Sequence, residues 1–395
     1  MPIVNPDILV WARKTAGLSE EEAAERLGIQ DARGVLAVDR LRQLEKGKVE
    51  PSRPTLIKMM KVYRRPLLLF YMSGPPRKGN RGQDFRKLPS DYSASDEALV
   101  DALIRNILAR QGMLRAAIED EEEVKEVSFV GSARMADGIR NIVELLKRIV
   151  QMDHREFYAQ SNPDKAFALL RSKVESAGVF VLLVGNLGSH HTAIELEIFR
   201  GFALADRLVP FIILNDHDSH AAWSFTLIHE LTHILLGQSG ISGSRTEQEQ
   251  EKFCNDVASE FLLPMDEISE LRVNNSTPIE STQEQITQFA TRRNLSSSMV
   301  AYKLFQYGSI DGVHWKQLSD FFRERWLKAQ DAKHGYAKEK ESGPSYYLVR
   351  RHRVGIKLLK VVNRMLASGV LTTTKAGQVL GVRAKNVQSL MGTKV

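Results

Sequence analysis

Apolar positions recur along most of this chain at helical spacing, and a few short β-like runs interrupt them in the middle. Leu99, Leu103 and Ile107 lie four residues apart, which predicts an amphipathic helix. Three short runs are rich in β-branched and aromatic residues and are bounded by Gly, Asn or Asp, so they predict strands. These runs are residues 179–184, 201–205 and 210–214. The pattern predicts an α+β protein that is mostly helical and has a small sheet.

Breaks in this pattern divide the chain into four blocks, and no internal repeat is apparent. The first block contains short helical stretches and ends at residues 73–82, a segment rich in Gly, Pro and basic residues that is typical of a linker. Helical bridging stretches follow, then a block that mixes helix and strand, then a helical basic block. We expect domains at residues 1–75, 76–136, 137–310 and 311–395.

Composition narrows the class of protein. A chain of 395 residues with 43% hydrophobic and 26% charged residues is long enough for two or three domains, and it resembles neither a disordered nor a fibrous protein. Its apolar runs are far shorter than the about 20 residues that a membrane span needs. No secretory signal pattern is visible at the start, and Cys254 is the only cysteine, so an internal disulfide cannot form. We therefore expect a cytoplasmic protein that does not contact a membrane.

Charge is distributed unevenly. Residues 1–80 carry 15 Lys/Arg against 9 Asp/Glu, and residues 345–395 carry ten Lys/Arg and no Asp/Glu, so the middle of this +7 chain is acidic. Basic ends predict contact with a polyanion or with an acidic protein surface. For the C-terminal segment we favour docking on the acidic middle of the same chain over binding to phosphates.

Residues 223–237 contain the candidate chemistry. His229 and His233 are four residues apart, so on a helix both imidazoles project from one face and can bind a single metal ion. Glu230 is turned by about 100° from His229 and can act as general base on a water molecule at the metal. The flanking positions are apolar nearly all round, which predicts a buried helix. Since ionisable groups are rarely kept unpaired in a core, a metal ion is the favoured interpretation.

A zinc hydrolase needs a third protein ligand. Residues 246–264 read as a helix opened by a capping box and closed by a proline. On its helical wheel Glu247 and Glu251 both flank the apolar arc, whereas Glu249 points away, so periodicity leaves the first two as alternatives. Cys254 lies among apolar residues and is interpreted as a small core side chain rather than a ligand.

Three segments carry a family resemblance: residues 200–205, residues 225–233, and residues 251–264 with their closing Phe-Leu-Leu-Pro. Together they resemble the ImmA/IrrE metallopeptidase family in its long form, which has an N-terminal Cro/C1-type helix-turn-helix domain. The resemblance implies a small-sheet, zincin-like metallopeptidase domain and a helical C-terminal segment.

The same resemblance implies roles for individual residues. His229, His233 and Glu251 would bind one Zn²⁺ per chain, and Glu230 would be the catalytic general base. It is the resemblance, and not the helical wheel, that favours Glu251 over Glu247.

The first block is similar to a Cro/C1-type helix-turn-helix module. Ser19 and Glu22 form a capping box at the second helix, and the candidate DNA contacts are Arg40, Arg42, Lys46 and Lys48. The stretch between residues 28 and 45 is several residues longer than this module normally allows, which favours phosphate contacts over base reading. The alternative is a helix-turn-helix fold kept as an interaction module. The tail from residue 346 also has helix-turn-helix character.

Two hypotheses of function follow. In the first, the protein is a zinc endopeptidase, and the resemblance implies that its substrate or partner is a small helix-turn-helix repressor or antitoxin in stress, phage-related or toxin–antitoxin control. In the second, it is a DNA-binding transcriptional regulator with a structural or sensory zinc site. Access of water to the metal separates the two, because structural zinc sites are closed.

Overall fold

A computed structural model describes residues 3–32, 34–76, 93–120, 125–188, 192–239, 245–339 and 345–392, without the side chains of residues 94, 245–248 and 330–339. The chain is mostly helical, at 63%, and has a small mixed sheet, as the sequence predicts. Its backbone contacts group into two compact units. Residues 1–108 and 186–198 form the first unit, and residues 109–185 and 199–395 form the second. The four finer domain boundaries stay predictions.

Four short helices and a 3-10 turn build the N-terminal part of the first unit. They are α1 (Pro6–Lys14), α2 (Glu20–Leu27), α3 (Ala37–Glu45) and α4 (Arg53–Val62), followed by the turn Leu67–Tyr71. Asn5, Ser19 and Ser52 cap the first, second and fourth helices through their side chains. The helices enclose an apolar core, and beside it the buried guanidinium of Arg13 on α1 donates to Glu45 on α3 at 2.7 Å. A further helix, α5 (Ala94–Glu119), follows.

The second unit contains the sheet. Its strands are β1 (Phe180–Leu183), β2 (Gly201–Leu204) and β3 (Phe211–Leu214), in the order β1-β3-β2. β1 pairs with β3 in parallel, and β2 pairs with β3 in antiparallel orientation. All three lie inside the runs that the sequence predicts as strands, and all but the first residue of β2 are buried.

Further helices of the second unit precede and follow the strands along the chain. They are α6 (Ile139–Val150), α7 (His154–Tyr158), α8 (Pro163–Ser176), α9 (His220–Leu235), α10 (Arg245–Leu262), α11 (Met265–Ile268), α12 (Ile279–Arg292), α13 (Ser297–Tyr307) and α14 (Gly312–Glu339). α9 packs against α8, α10 and the strands β2 and β3. One apolar core joins these elements, so the strands and α9 form a single packed body. No described helix is both long enough and apolar enough to cross a membrane.

The C-terminal segment consists of α15 (Tyr346–Val354), α16 (Ile356–Ala367), α17 (Thr373–Leu380) and α18 (Val387–Gly392). The corner at Gly355, between α15 and α16, lies on α8 and β1. There Arg171 donates to the carbonyls of His352 and Val181, and the backbone N–H of Lys357 donates to Glu175 at 3.1 Å. Arg353 forms an ion pair with Asp216 at 2.6 Å. These contacts agree with the expectation that the basic tail docks on the acidic middle of the chain.

Candidate metal centre

α9 is a buried helix with both ends secured. Ser219 caps its start by accepting the N–H of Ala222 at 3.2 Å, and every residue from 226 to 235 is buried. Gly237, at φ 70°, ends the helix, and the next N–H bonds back to the carbonyl of His233 at 2.9 Å. Two last-turn carbonyls are covered by another segment, because the N–H of Gly131 donates to Ile234 at 3.0 Å and that of Ala133 to Leu235 at 3.1 Å. The last turn, which carries His233, is therefore held both by its own C-terminal cap and by the amides of residues 131 and 133.

α10 brings a carboxylate to the two histidines. Its apolar face, which includes Cys254, Val257 and Ala258, packs into the core beside α9, and this packing turns Glu251 toward the imidazoles. The carboxylate of Glu251 lies 3.2 Å from Nε2 of His229 and 3.0 Å from Nε2 of His233. The two Nε2 atoms are 3.1 Å apart.

This set of atoms fits a tetrahedral metal ion. Bonds of about 2.0–2.1 Å at tetrahedral angles separate neighbouring ligand atoms by about 3.3 Å, which is close to the three distances found. His229, His233 and Glu251 form a cluster able to hold a metal ion, with two buried nitrogens and one half-buried carboxylate. Two imidazoles and a carboxylate leave a fourth position for water, as in catalytic rather than structural zinc sites.

The electrostatics of the cluster favour a cation. Burial would raise the pKa of Glu251, but the hydrogen bonds and charges of His229 and His233 outweigh burial and hold that pKa well below its ordinary value. Burial would lower the pKa of His233, but its contacts with Cys254 and Glu251 raise it well above the ordinary value. Both shifts keep positive charge on His233 beside the ionised carboxylate of Glu251. A metal cation bound between them would take the place of that positive charge.

Glu230 lies outside the ligand cluster, next to it on α9. Only 5% of the residue is exposed, and among the described residues its Oε2 has no hydrogen-bond partner. Burial is the main cause that raises the pKa of Glu230 to about 6. A carboxyl group that titrates near neutral pH is suited to accept and return a proton.

Two neighbours of the site were not assigned from the sequence. Gly201, at the start of β2, lies so close that a Cβ there would be 3.0 Å from Oε1 of Glu230. Gln238 places its Oε1 3.3 Å from Nδ1 of His233, and Sγ of Cys254 lies 3.8 Å from the same nitrogen. A metal-binding histidine usually donates its second N–H to an oxygen, so Gln238 fits the role of orienting His233.

The structure describes two of the three glutamates of α10 that the helical wheel compared. Glu251 meets both histidines, whereas Glu249 is exposed. The side chain of Glu247 lies outside the described residues. Cys254 is fully buried and is absent from the ligand cluster found among the described residues, in agreement with its interpretation as a core side chain.

Comparison with family models identifies two domains. Residues 190–305 match the model of the IrrE N-terminal-like domain, which belongs to the M78 peptidases. This chain carries an IrrE N-terminal-like domain. The matched region contains the two histidines, Glu230 and Glu251. Residues 9–70 match a helix-turn-helix model, so a DNA-binding domain of Cro/C1 type precedes the peptidase domain. Searches of curated proteins and of solved structures gave no significant match.

The candidate DNA contacts fall into two pairs. Arg40 donates to the carbonyl of Gln30, and Arg42 forms ion pairs with Glu20 at 2.5 Å and with Asp39 at 2.9 Å, so both guanidinium groups are engaged within the domain. Lys46 and Lys48 are exposed just beyond the end of α3. Eight residues separate Gly28 from α3, which is the long connection noted in the sequence.

Proposed function

We propose that this protein is a zinc-dependent endopeptidase that cleaves a specific protein partner. The observation that supports this most directly is the meeting of His229, His233 and Glu251 from two different helices. Beside them lies the buried Glu230, whose Oε2 has no hydrogen-bond partner in the described part of the chain. A bound zinc ion would act as a Lewis acid that activates water and polarises a peptide carbonyl.

The residues of the chain would divide the remaining work. Glu230 accepts a proton from the attacking water and returns it to the leaving amine, for which a pKa of about 6 is suitable. Gln238 fixes the orientation of His233 through Nδ1. β2 lies at an edge of the sheet, and its first residue, Gly201, lies against Glu230, so an extended peptide aligned along this edge would pass the carboxylate.

Metal content of single variants tests the assignment. His229→Ala, His233→Ala and Glu251→Ala should each lose zinc, whereas Glu230→Gln should keep zinc and lose cleavage. Glu249→Ala is the matched control, because it removes an exposed carboxylate from the same helix. Loss of zinc in Glu230→Gln, or full retention in Glu251→Ala, would contradict the assignment.

We propose a small helix-turn-helix repressor or antitoxin as the substrate, in stress, phage-related or toxin–antitoxin control. Support comes from the family resemblance and from the burial of the site, since only 5% of Glu230 is exposed, which disfavours indiscriminate access of unfolded chains. Cleavage of small repressors encoded beside this chain's gene, compared with casein, tests the proposal. Rapid cleavage of casein would contradict narrow specificity.

The second candidate function is a DNA-binding regulator whose zinc site is structural or sensory. The helix-turn-helix match over residues 9–70 favours it. A Glu230→Gln variant that keeps promoter binding and control of transcription, with no cleavage of any candidate repressor by the unchanged protein, would move this function to first place.

A further inference from the structure

The start of the C-terminal bundle repeats the geometry of the N-terminal helix-turn-helix. α2 and α17 are both eight residues long, and a hydroxyl side chain caps each of them, Ser19 in the first and Thr372 in the second. Each cap stands five residues after the end of the preceding helix, α1 or α16. No repeat is apparent in the sequence, but in the structure the segment around Ser19 corresponds to the segment around Thr372, 353 positions later.

The correspondence continues through the end of each helix. Gly28 has φ 66° and ψ 36°, and Gly381 has φ 66° and ψ 33°. The residue after each glycine donates its N–H back into the helix, from Ile29 to Ala24 at 3.0 Å and from Val382 to Gly377 at 2.8 Å. The buried positions match as well: they are Leu18 and Leu371, Ala23 and Ala376, and Leu27 and Leu380.

The C-terminal copy has the compact turn that the N-terminal domain lacks. Only two residues separate Gly381 from a helical stretch that begins at Ala384 as a 3-10 turn and continues as α18. A Cβ on Gly377 would lie 2.9 Å from the carbonyl oxygen of Val382, so the turn lies directly against α17. Short connections of this kind hold the two helices of a helix-turn-helix at a fixed angle.

The second helical stretch turns its apolar side inward and its polar side outward. Val387 and Leu390 are buried. Arg383, Lys385 and Gln388 are exposed on the remaining face. In helix-turn-helix proteins the corresponding face of the second helix enters the major groove of DNA.

The charge of this surface fits a polyanion. Residues 345–395 contain ten Lys/Arg and no Asp/Glu. Some of these are used within the unit, since Arg350 donates to carbonyls at the end of α17 and Arg353 pairs with Asp216. In the part of the chain that the structure describes, Arg383 and Lys385 form no ion pair, and both are exposed.

We propose that residues 372–392 form a second DNA-binding surface, separate from the matched N-terminal domain, that binds duplex DNA in the major groove. Arg383 and Lys385 contact phosphates, and Gln388 faces the base edges. The C-terminal segment thus has two faces. Gly355 and Arg353 contact α8, β1 and Asp216, and α18 with the preceding turn contacts DNA.

Salt-dependent binding of the full-length protein to a mixed-sequence DNA duplex tests this proposal. The variant is Arg383→Ala/Lys385→Ala, and the matched control is Arg140→Ala/Arg148→Ala, which removes the same charge from exposed positions at α6. Each phosphate contact contributes about 0.9 to the slope of log K against log salt, so the variant should lose about 1.8 of slope. Between 50 and 200 mM salt, the unchanged protein should then lose about tenfold more affinity than the variant does.

To reduce binding through the N-terminal helices, the Arg383/Lys385 variant and its Arg140/Arg148 control are also made in a Lys46→Ala/Lys48→Ala background. Equal slopes for the Arg383/Lys385 variant and its control would overturn the proposal, as would binding of duplex RNA in place of duplex DNA. Arg383→Gln/Lys385→Gln, which keeps a polar side chain but removes the charge, should behave as the alanine pair does. Thermal melting of each variant shows that the lost affinity does not come from unfolding.

Discussion

Gly355→Ala should detach the C-terminal segment from α8 and β1. Gly355 has φ 85° and ψ 155°, a backbone region that only glycine enters readily. A Cβ there would lie 2.2 Å from Oε1 of Glu175, 2.7 Å from Nη2 of Arg171 and 2.8 Å from the carbonyl oxygen of Val181. Since Arg171 and Glu175 are each 6% exposed and packed on β1, they cannot move aside without losing their partners.

Two contributions set the free energy of docking that Gly355→Ala should lose. The backbone conformation alone costs about 1–3 kcal/mol in a residue with a Cβ. Separating a buried ion pair from its partners costs about 3–5 kcal/mol. The two overlap, because shifting the backbone relieves part of the clash, so we expect a loss of about 3–5 kcal/mol in the docking of α15 and α16. A change of 1.4 kcal/mol is a factor of about ten, which makes the detached state more than about a hundredfold more populated.

Limited proteolysis with trypsin measures this population, since cleavage of a transiently opened segment follows the opening equilibrium. Cuts inside α15 and α16 are counted by mass spectrometry. Gly369→Ala is the matched control: Gly369 also has a positive φ, of 78°, but a Cβ there meets nothing within 4 Å, so only about 1 kcal/mol should be lost. If Gly355→Ala is cut no faster than Gly369→Ala, the reasoning about the buried pair is wrong.

Three further predictions concern the metal, the base and the N-terminal core. Zinc added to the chelated protein at about 100 times its Kd should stabilise the folded state by about 2.7 kcal/mol, which is read as a rise in melting temperature that Glu251→Ala abolishes. Gly201→Ala should lower partner cleavage about a hundredfold at unchanged zinc content, because its Cβ would lie 2.7 Å from Cγ2 of Thr226 and 3.0 Å from Oε1 of Glu230 and would crowd the general base. Glu45→Ala should destabilise the N-terminal helices by about 3–5 kcal/mol in denaturant unfolding, because Arg13 would stay buried without its main carboxylate.

Each of these has a control in the chain. Glu249→Ala should keep the zinc-induced rise in melting temperature. Gly112→Ala, where a Cβ would meet nothing within 4 Å, should leave cleavage unchanged, and equal activity of Gly112→Ala and Gly201→Ala would contradict the role given to β2. Asp39→Ala breaks an exposed pair and should cost under about 1 kcal/mol, so a similar loss in Asp39→Ala and Glu45→Ala would refute the importance of burial.

Local periodicity made much of this site predictable. The two histidines and Glu230 belong to one helix, so their relative positions follow from 3.6 residues per turn. The strands were predictable because their apolar runs are short and bounded by turn residues. The choice between Glu247 and Glu251 was different. They lie one turn apart on the same face, and only the packing of α10 on α9 shows that Glu251 reaches the histidines.

Other features depend on contacts that periodicity does not report. Gln238 follows the end of α9, where helical spacing no longer applies, and yet the chain folds back to bring it to His233. Arg42 lies on α3 and was a candidate DNA contact, but its guanidinium forms an ion pair with Glu20, 22 residues away in the sequence. The tail was expected to dock from its charge alone, whereas the contact itself depends on a buried pair on α8 and on one glycine.

Residues 131–133 cover the last turn of α9, and this contact limits which stretch of the sequence can pass between proteins as one folding module. The family match begins at residue 190, yet the carbonyls of Ile234 and Leu235 are satisfied by amides that lie about 60 positions upstream of that boundary. β1 also precedes the match, and without it β3 would become an exposed edge strand of wholly apolar residues. A gene rearrangement that transplanted only residues 190–305 would move the candidate metal ligands without the backbone that keeps them in place. The smallest portion that could be exchanged between proteins should therefore reach back to about residue 131.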